Sequence, residues 1–291
     1  MSIADEIKKS FKSGSALIKL IYVNIAVFLA VKLIGTLITL LQLNTGFSLV
    51  TWFAVPADIN NLLFKPWTIF TYMFLHQDFL HIIFNMLWLF WFGQIFLQHF
   101  DNKKLLSVYI VGGLAGAALF ILSFNLFPLF DQAVPISIAL GASASVMAIV
   151  IAISVYIPNH KIHLMFLGPV PLKYIALFSI ALDILSIASE NDGGHIAHLG
   201  GALFGYLYIT QMRKGKNITK GFDRFMDKVF AWFKPKDKFK VTYKRPVSDI
   251  EYNKTKVSNQ KDIDKILDKI ADKGYDSLSK SEKEVLFKTG R

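Results

Sequence analysis

Two serines stand among the smallest residues at the mouth of an aliphatic run, "LGASASVMAIVIAISVYI", residues 140–157. A serine hydroxyl is a poor nucleophile until a base takes its proton, and neutral histidine is the usual base. His198 lies at the start of another apolar run, within "AHLGGALFG". Ser143 is followed by Ala144, Ala148 and Ala152 on one helical stripe, and Gly201 and Gly205 are four residues apart. Such small-residue faces let two helices approach closely, so the spacing predicts Ser143 and His198 within hydrogen-bond reach. His81 and Asn85, at i and i+4, share a helix face. Neutral histidine and asparagine both donate hydrogen bonds without net charge, which suits a developing oxyanion in a low-dielectric site. The plainer alternative is that the small residues only pack and that the His–Asn pair clamps two helices together.

The elements that must position these groups are apolar. The chain has 291 residues, 53% of them hydrophobic, and a net charge of +11; its mean hydropathy is +0.43. Cysteine is absent, which excludes disulfides and thiolate catalysis. A membrane-spanning helix needs about 20 apolar residues, fewer where neighbours shield it. On that basis six spans are expected, over residues 17–41, 79–100, 105–127, 142–157, 172–188 and 195–212. No signal-peptide cleavage site precedes the first run, so it is expected to stay as a helix. The fold class predicted is all-α: a polytopic six-helix membrane bundle (17–212) after a cytoplasmic N-terminus (1–16), followed by an amphipathic helix and polar linker (213–260) and a small cytoplasmic helical hairpin (261–291).

Basic residues set the orientation. Lys8, Lys9 and Lys12 precede the first span, Lys103 and Lys104 lie between the second and third, Lys161 and Lys173 between the fourth and fifth, and Arg213, Lys214 and Lys216 follow the sixth. The alternate loops hold Asp58 and Lys65, then Asp131, then Glu190 and Asp192. Both termini are therefore expected in the cytoplasm and the protein in the cell membrane. Spans two, four and six then begin on the outer side, and "HQDFLHIIFN", "GASAS" and "GGHIAHLGG" lie at similar depth.

Neighbouring polar residues receive quieter readings. Ser145 points about 200° round the helix from Ser143 and is expected to bond to backbone. His195 is expected at the rim. Asp183, an acid inside the fifth span, is expected to bond to a nearby serine or backbone group. His99, His160 and His163 fall at interfacial ends. No metal-binding spacing appears, and the reading needs neither metal nor cofactor. About two-thirds of the Lys and Arg residues lie beyond Met212. That charge reads as attraction to a lipid surface, since no nucleic-acid-binding motif accompanies it.

The three quoted segments, in this order on the second, fourth and sixth spans, resemble the rhomboid family of intramembrane serine proteases over about Lys65 to Met212. The resemblance implies a Ser–His dyad rather than a triad, which cleaves membrane-anchored protein substrates near the outer membrane face. It implies Ser143 as nucleophile, His198 as base, and His81 and Asn85 with the Ser143 backbone N–H as oxyanion hole. It gives His76 a supporting role, with Gly141, Gly201 and Gly205 as the small residues of the motifs, and makes "PWTIFTYMFLH" a partly submerged outer loop. Three positions depart from the family pattern. Ala144 replaces the last Gly of GxSG, Thr68 follows Trp67 where many bacterial members have Arg, and Met147 stands where an aromatic often packs on the imidazole. The rival readings are a catalytically inactive rhomboid-like protein that binds membrane clients, and a transporter or channel that uses intramembrane His and Asp for protons, for which no paired inverted repeat is seen.

In the tail, Phe222, Phe225, Met226, Val229, Phe230 and Phe233 recur at helical spacing among Lys220, Arg224 and Lys228. This predicts a basic amphipathic helix on the inner leaflet. Ile263, Ile266, Leu267 and Ile270 form one apolar face of the expected hairpin, with a turn at "DKGYDSL" and a Ser279/Glu282 capping box.

Overall fold

The computed structural model describes residues 3–43, 48–164, 168–187, 192–233 and 248–289. Glu190 and most of the predicted polar linker (234–247) lie outside the described residues. The chain divides into two compact units, Met1–Lys234 and Pro235–Arg291.

The first unit opens with α1 (Ile3–Ser13) and the long α2 (Ala16–Leu40), followed by the short helices α3 (Leu49–Phe53), α4 (Ile59–Phe64) and α5 (Thr68–Thr71). Then come α6 (Phe79–His99), α7 (Asn102–Leu126), α8 (Ser143–Tyr156), α9 (Leu172–Leu185), α10 (Asp192–Arg213) and α11 (Lys220–Phe233). Each apolar run read from the sequence thus carries a helix. Among the described residues, α2, α6 and α7 are long and apolar enough to cross a membrane, and α8 is a shorter apolar helix.

Two short antiparallel ladders interrupt the all-α expectation. β1 (Val55–Pro56) pairs with β2 (Ile138–Ala139), and β3 (Lys161–Leu164) with β4 (Gly168–Pro171). Connections between apolar helices must still satisfy their backbone groups, and local pairing does so. The β1–β2 pair has a positional effect as well: it ties the segment leading into α8 to the loop after α3. Beside it, Gly141 N–H donates to the Tyr72 carbonyl at 2.9 Å and Ala57 N–H to that of Ser137 at 3.0 Å.

α8 is the core of the bundle. Ten of its residues, from Ala144 to Ser154, are buried, as an aliphatic helix with no polar face requires. α10 packs most extensively against α7 and α8. A Cβ added at Gly201 would collide with the Ala144 carbonyl, and one at Gly205 with the Ala148 carbonyl. The same four-residue step on both helices means that they run in the same direction and in register.

Polar groups knit the other elements together. Asn24 Nδ2 on α2 donates to Tyr109 Oη on α7 at 3.1 Å, and Tyr109 Oη donates to the Met73 carbonyl at 3.1 Å. At the far end of α8, the Arg213 guanidinium donates to the carbonyls of Val155 and Tyr156 at 2.9 and 3.2 Å. Those carbonyls belong to the last turn, which has no partners within the helix. α11 docks on α7 through Ser107 Oγ to Asp223 (2.6 Å) and Lys103 to Asp227 (2.7 Å).

In the second unit, α12 (Asp249–Lys273) begins twelve residues earlier than the hairpin helix expected from Lys261. Ser248 caps it by accepting from Glu251 N–H at 3.3 Å, a serine-x-x-glutamate start that precedes any apolar periodicity. Gly274 (φ +78°) makes the turn. In α13 (Lys280–Thr289) the Ser279/Glu282 capping box forms, with contacts of 2.7 and 3.3 Å. Lys269 meets Glu282 at 2.8 Å and, with the two Ser279 bonds, lowers the glutamate pKa to about 2.

Three outcomes are expected. Gly201→Ala or Gly205→Ala should destabilise the bundle by about 1–3 kcal/mol through overpacking, seen as a lower thermal midpoint in detergent micelles. Gly35→Ala, where a Cβ meets open space, should hold or gain through helix propensity. In the second unit, Glu282→Gln should reduce hydrogen-exchange protection of the 280–289 amides. Because the folded carboxyl titrates below its unfolded value, that effect should be full above about pH 4.5 and vanish as pH falls through about 2.

Candidate active site

Ser143 is the first residue of α8, and the residue before it, Ala142, offers no side-chain cap. By contrast α2, α6 and α7 are capped: Ser15 accepts from Ile18 N–H, Asp78 from His81 N–H and Asp101 from Lys104 N–H. The first-turn N–H groups of α8 therefore retain their donor capacity and the positive end of the helix dipole. Gly141 just precedes them with φ +128°, a backbone angle that disfavours any side chain. A Cβ there would also sit 2.9 Å from His81 Nε2 and 3.5 Å from Ser143 Oγ. Glycine at 141 thus keeps open the space between the imidazole and the hydroxyl.

A cavity of about 300 Å³ opens beside this point. Ser143 and Met147 of α8, Asn85 of α6, Asp183 of α9, and His195 and His198 of α10 all line it. Met147 forms part of its wall. Ser143 and His198 thus line one space, whereas the small-residue stripes predict them within hydrogen-bond reach. Among the described residues no hydrogen bond joins them. Asn85 is buried, and its Nδ2 donates to the His81 carbonyl one turn back at 2.9 Å. That bond orients the amide and leaves its second N–H.

His76, in the loop before α6, is buried, and among the described residues neither ring nitrogen has a hydrogen-bond partner. Its ring meets the His81 ring edge-on at 5.1 Å. Burial, then the neighbouring His81, lower its pKa to about 4, so it is neutral at physiological pH. Thr68 is buried and its Oγ1 donates to the Lys65 carbonyl at 2.6 Å. Trp67 anchors the same loop through Nε1 to the Trp52 carbonyl at 2.9 Å, with the two indoles stacked at 6.0 Å.

Three sequence expectations are corrected. Asp183 bonds to histidines, not to serine or backbone: its Oδ1 lies 2.9 Å from His198 Nδ1 and 2.8 Å from His195 Nδ1. His195 is therefore tied into the site rather than standing at its rim. Ser145 is buried away from the cavity, with Oγ 3.9 Å from the Met73 sulfur in place of the backbone partner expected. The available signal for Asp183 was its burial demand. A carboxylate in an apolar span needs donors, and Ser179, one turn before it, already donates to the Ile175 carbonyl at 2.9 Å. The ligand atoms of Asp183, His195 and His198 lie within 4.8 Å of one another and form a group that could hold a metal ion, although no motif spacing announced one.

Comparison with known proteins places this geometry. A rhomboid domain model matches residues 63–215, which hold every polar residue of the cavity. The chain belongs to the rhomboid family. A second model, a family of unknown function (DUF6576), matches residues 248–288. The chain is 31% identical over 158 residues to RHOMBOID-like protein 12, mitochondrial, of Arabidopsis thaliana, covering 51% of this chain and 47% of that protein. It is 32% identical over 148 residues to Rhomboid protease AarA of Providencia stuartii, covering 46% and 52%. With Rhomboid protease GlpG of Pectobacterium atrosepticum it shares 31% identity over 103 residues, covering 35% and 33%. The chain thus spans between a third and about half the length of these relatives.

Gly141→Ala should cost about 1–3 kcal/mol, from the positive φ and the crowded His81 ring. Ser145→Ala, which loses only a weak contact to sulfur, should cost less than about 1 kcal/mol. Thermal unfolding of the two variants beside the wild type checks both.

Proposed function

We propose that this rhomboid is an intramembrane serine endopeptidase that cuts membrane-anchored protein substrates with Ser143 as nucleophile and His198 as base. The observation that carries the reading is one cavity lined by both side chains, at the uncapped start of a buried helix. The separation of the pair does not count against it, because catalytic hydrogen bonds often tighten only when substrate is bound.

In this mechanism the ring nitrogen of His198 that is not bonded to Asp183 takes the Ser143 hydroxyl proton. Oγ forms a bond to the scissile carbonyl carbon, and the carbonyl π electrons move onto its oxygen. That oxygen receives hydrogen bonds from the Ser143 backbone N–H, the free Asn85 amide N–H and His81 Nε2–H. Donors preorganised in a dry site are worth most where charge develops. Collapse of the intermediate breaks the C–N bond, and the imidazolium gives its proton to the leaving amine. Water then attacks the acyl-serine by the same route and frees the enzyme.

Gly141 supports the oxyanion assignment, since the space that a side chain there would fill adjoins both His81 Nε2 and Ser143 Oγ. The basic loops support a six-span arrangement in the cell membrane with both termini in the cytoplasm. The site then opens near the outer face. The relatives named as rhomboid proteases support the activity.

Purified protein incubated with a model single-span substrate tests the reading. Wild type and Ser145→Ala should cleave, and Ser143→Ala and His198→Ala should not. His81→Ala and Asn85→Ala should each lose roughly 10²–10³-fold in kcat, as single oxyanion donors do. Cleavage that persists in Ser143→Ala rejects the nucleophile, and a wild type that binds but never cuts favours a client-binding role.

A further inference from the structure

We propose that Asp183 is a positioning residue for the base. Its Oδ1 holds His198 through Nδ1 and shares that oxygen with His195, which adds to the dyad that the family resemblance implies a third residue that orients the base and takes no proton. The inference rests on the serine-protease reading of the cavity.

The chemistry follows from what each group can donate. An ionised carboxylate only accepts hydrogen bonds. With Asp183 ionised, as the proposal has it, the ring nitrogens of His195 and His198 at 2.8 and 2.9 Å from its Oδ1 both donate. With Nδ1 protonated, a neutral imidazole carries its lone pair on Nε2. His198 is thereby held in the tautomer that can accept the Ser143 proton, and its ring is fixed about the axis that a lone histidine would leave free. The two rings stand at 82° with centroids 5.9 Å apart, so they reach one oxygen from separate directions without stacking.

Burial makes the arrangement strong. Asp183 is 5% exposed, and its Oδ2 has no partner among the described residues. A buried carboxylate is costly unless hydrogen-bonded, so Oδ1 and its two donors carry its compensation. When His198 becomes an imidazolium during acylation, the carboxylate stabilises that charge in place. Hydrogen bonding also fits the distances better than a shared ion. Ligand atoms on tetrahedral zinc, each about 2.0–2.1 Å from the metal, stand about 3.3 Å apart.

The test combines kinetics with a reading that needs no turnover. Full-length protein in micelles with EDTA, labelled with ¹⁵N-histidine, is compared as wild type, Asp183→Asn and Asp183→Glu, with the His198 signals identified by their absence in His198→Gln. We expect the wild-type spectrum at neutral pH to show His198 with its proton on Nδ1, and Asp183→Asn to lose that preference. With a model single-span substrate, Asp183→Asn should lower kcat by roughly 10²–10⁴-fold with KM within about threefold. Asp183→Glu should recover at least about tenfold of the loss. An active wild type whose kcat survives Asp183→Asn within about threefold overturns the proposal, and so does a wild-type His198 with its proton on Nε2. If Asp183→Asn does not fold, the Asp183→Glu kinetics and the wild-type tautomer decide. If the wild type does not cleave, or Ser143→Ala still does, the protease reading fails and the tautomer alone decides whether the carboxylate holds the ring.

Discussion

The backbone contact between α8 and α10 sets everything else. In lipid there is no hydrophobic drive to press two apolar helices together, so close association depends on dispersion at short range. Gly201 on Ala144 and Gly205 on Ala148 provide that closeness and also fix the register. His198 lies three residues before the first glycine, and Ser143 one residue before the first alanine. The hydroxyl and the imidazole therefore start at the same end of two co-directional helices because of where side chains are absent. A bulkier pair would separate the helices and the chemistry together.

Around that contact the bundle divides its polar groups into two kinds. Asn24, Tyr109 and the Met73 carbonyl satisfy one another and act as interhelical glue. Among the described residues, both nitrogens of His76 and Oδ2 of Asp183, near the cavity, lack hydrogen-bond partners, as does Ser154 Oγ toward the far end of α8. The first turn of α8 likewise has no side-chain cap. Unsatisfied capacity inside an apolar protein costs stability, and here most of it stands near the Ser143 cavity.

The sequence made some of this legible and hid the rest for physical reasons. Stripes of small residues four apart, and polar turns at the mouths of apolar runs, show directly in the one-dimensional pattern, so the helices and the shared lining of one cavity by Ser143 and His198 could be read, while the hydrogen bond expected between them is absent among the described residues. Asp183 was visible as an anomaly, but its partner depends on how α9 is rotated against α10, which local spacing does not encode. Ser145 was expected to bond to backbone and lies beside the Met73 sulfur, because a contact supplied from outside its helix leaves no mark on the helix itself. The early start of α12 was written in Ser248 and Glu251, yet a solvent-exposed first stretch lacks the apolar rhythm that draws attention.

The length of α8 carries a last consequence. Its 14 residues rise about 21 Å, against about 30 Å of hydrocarbon in a bilayer. Arg213, a permanent cation exposed at one end of the rod, draws that end toward the polar boundary. The helix is thus several ångströms shorter than the hydrocarbon layer, and Ser143 stands at the end opposite Arg213. The chain that leads into that end is loop and the β1–β2 ladder rather than helix, with its backbone groups paired locally.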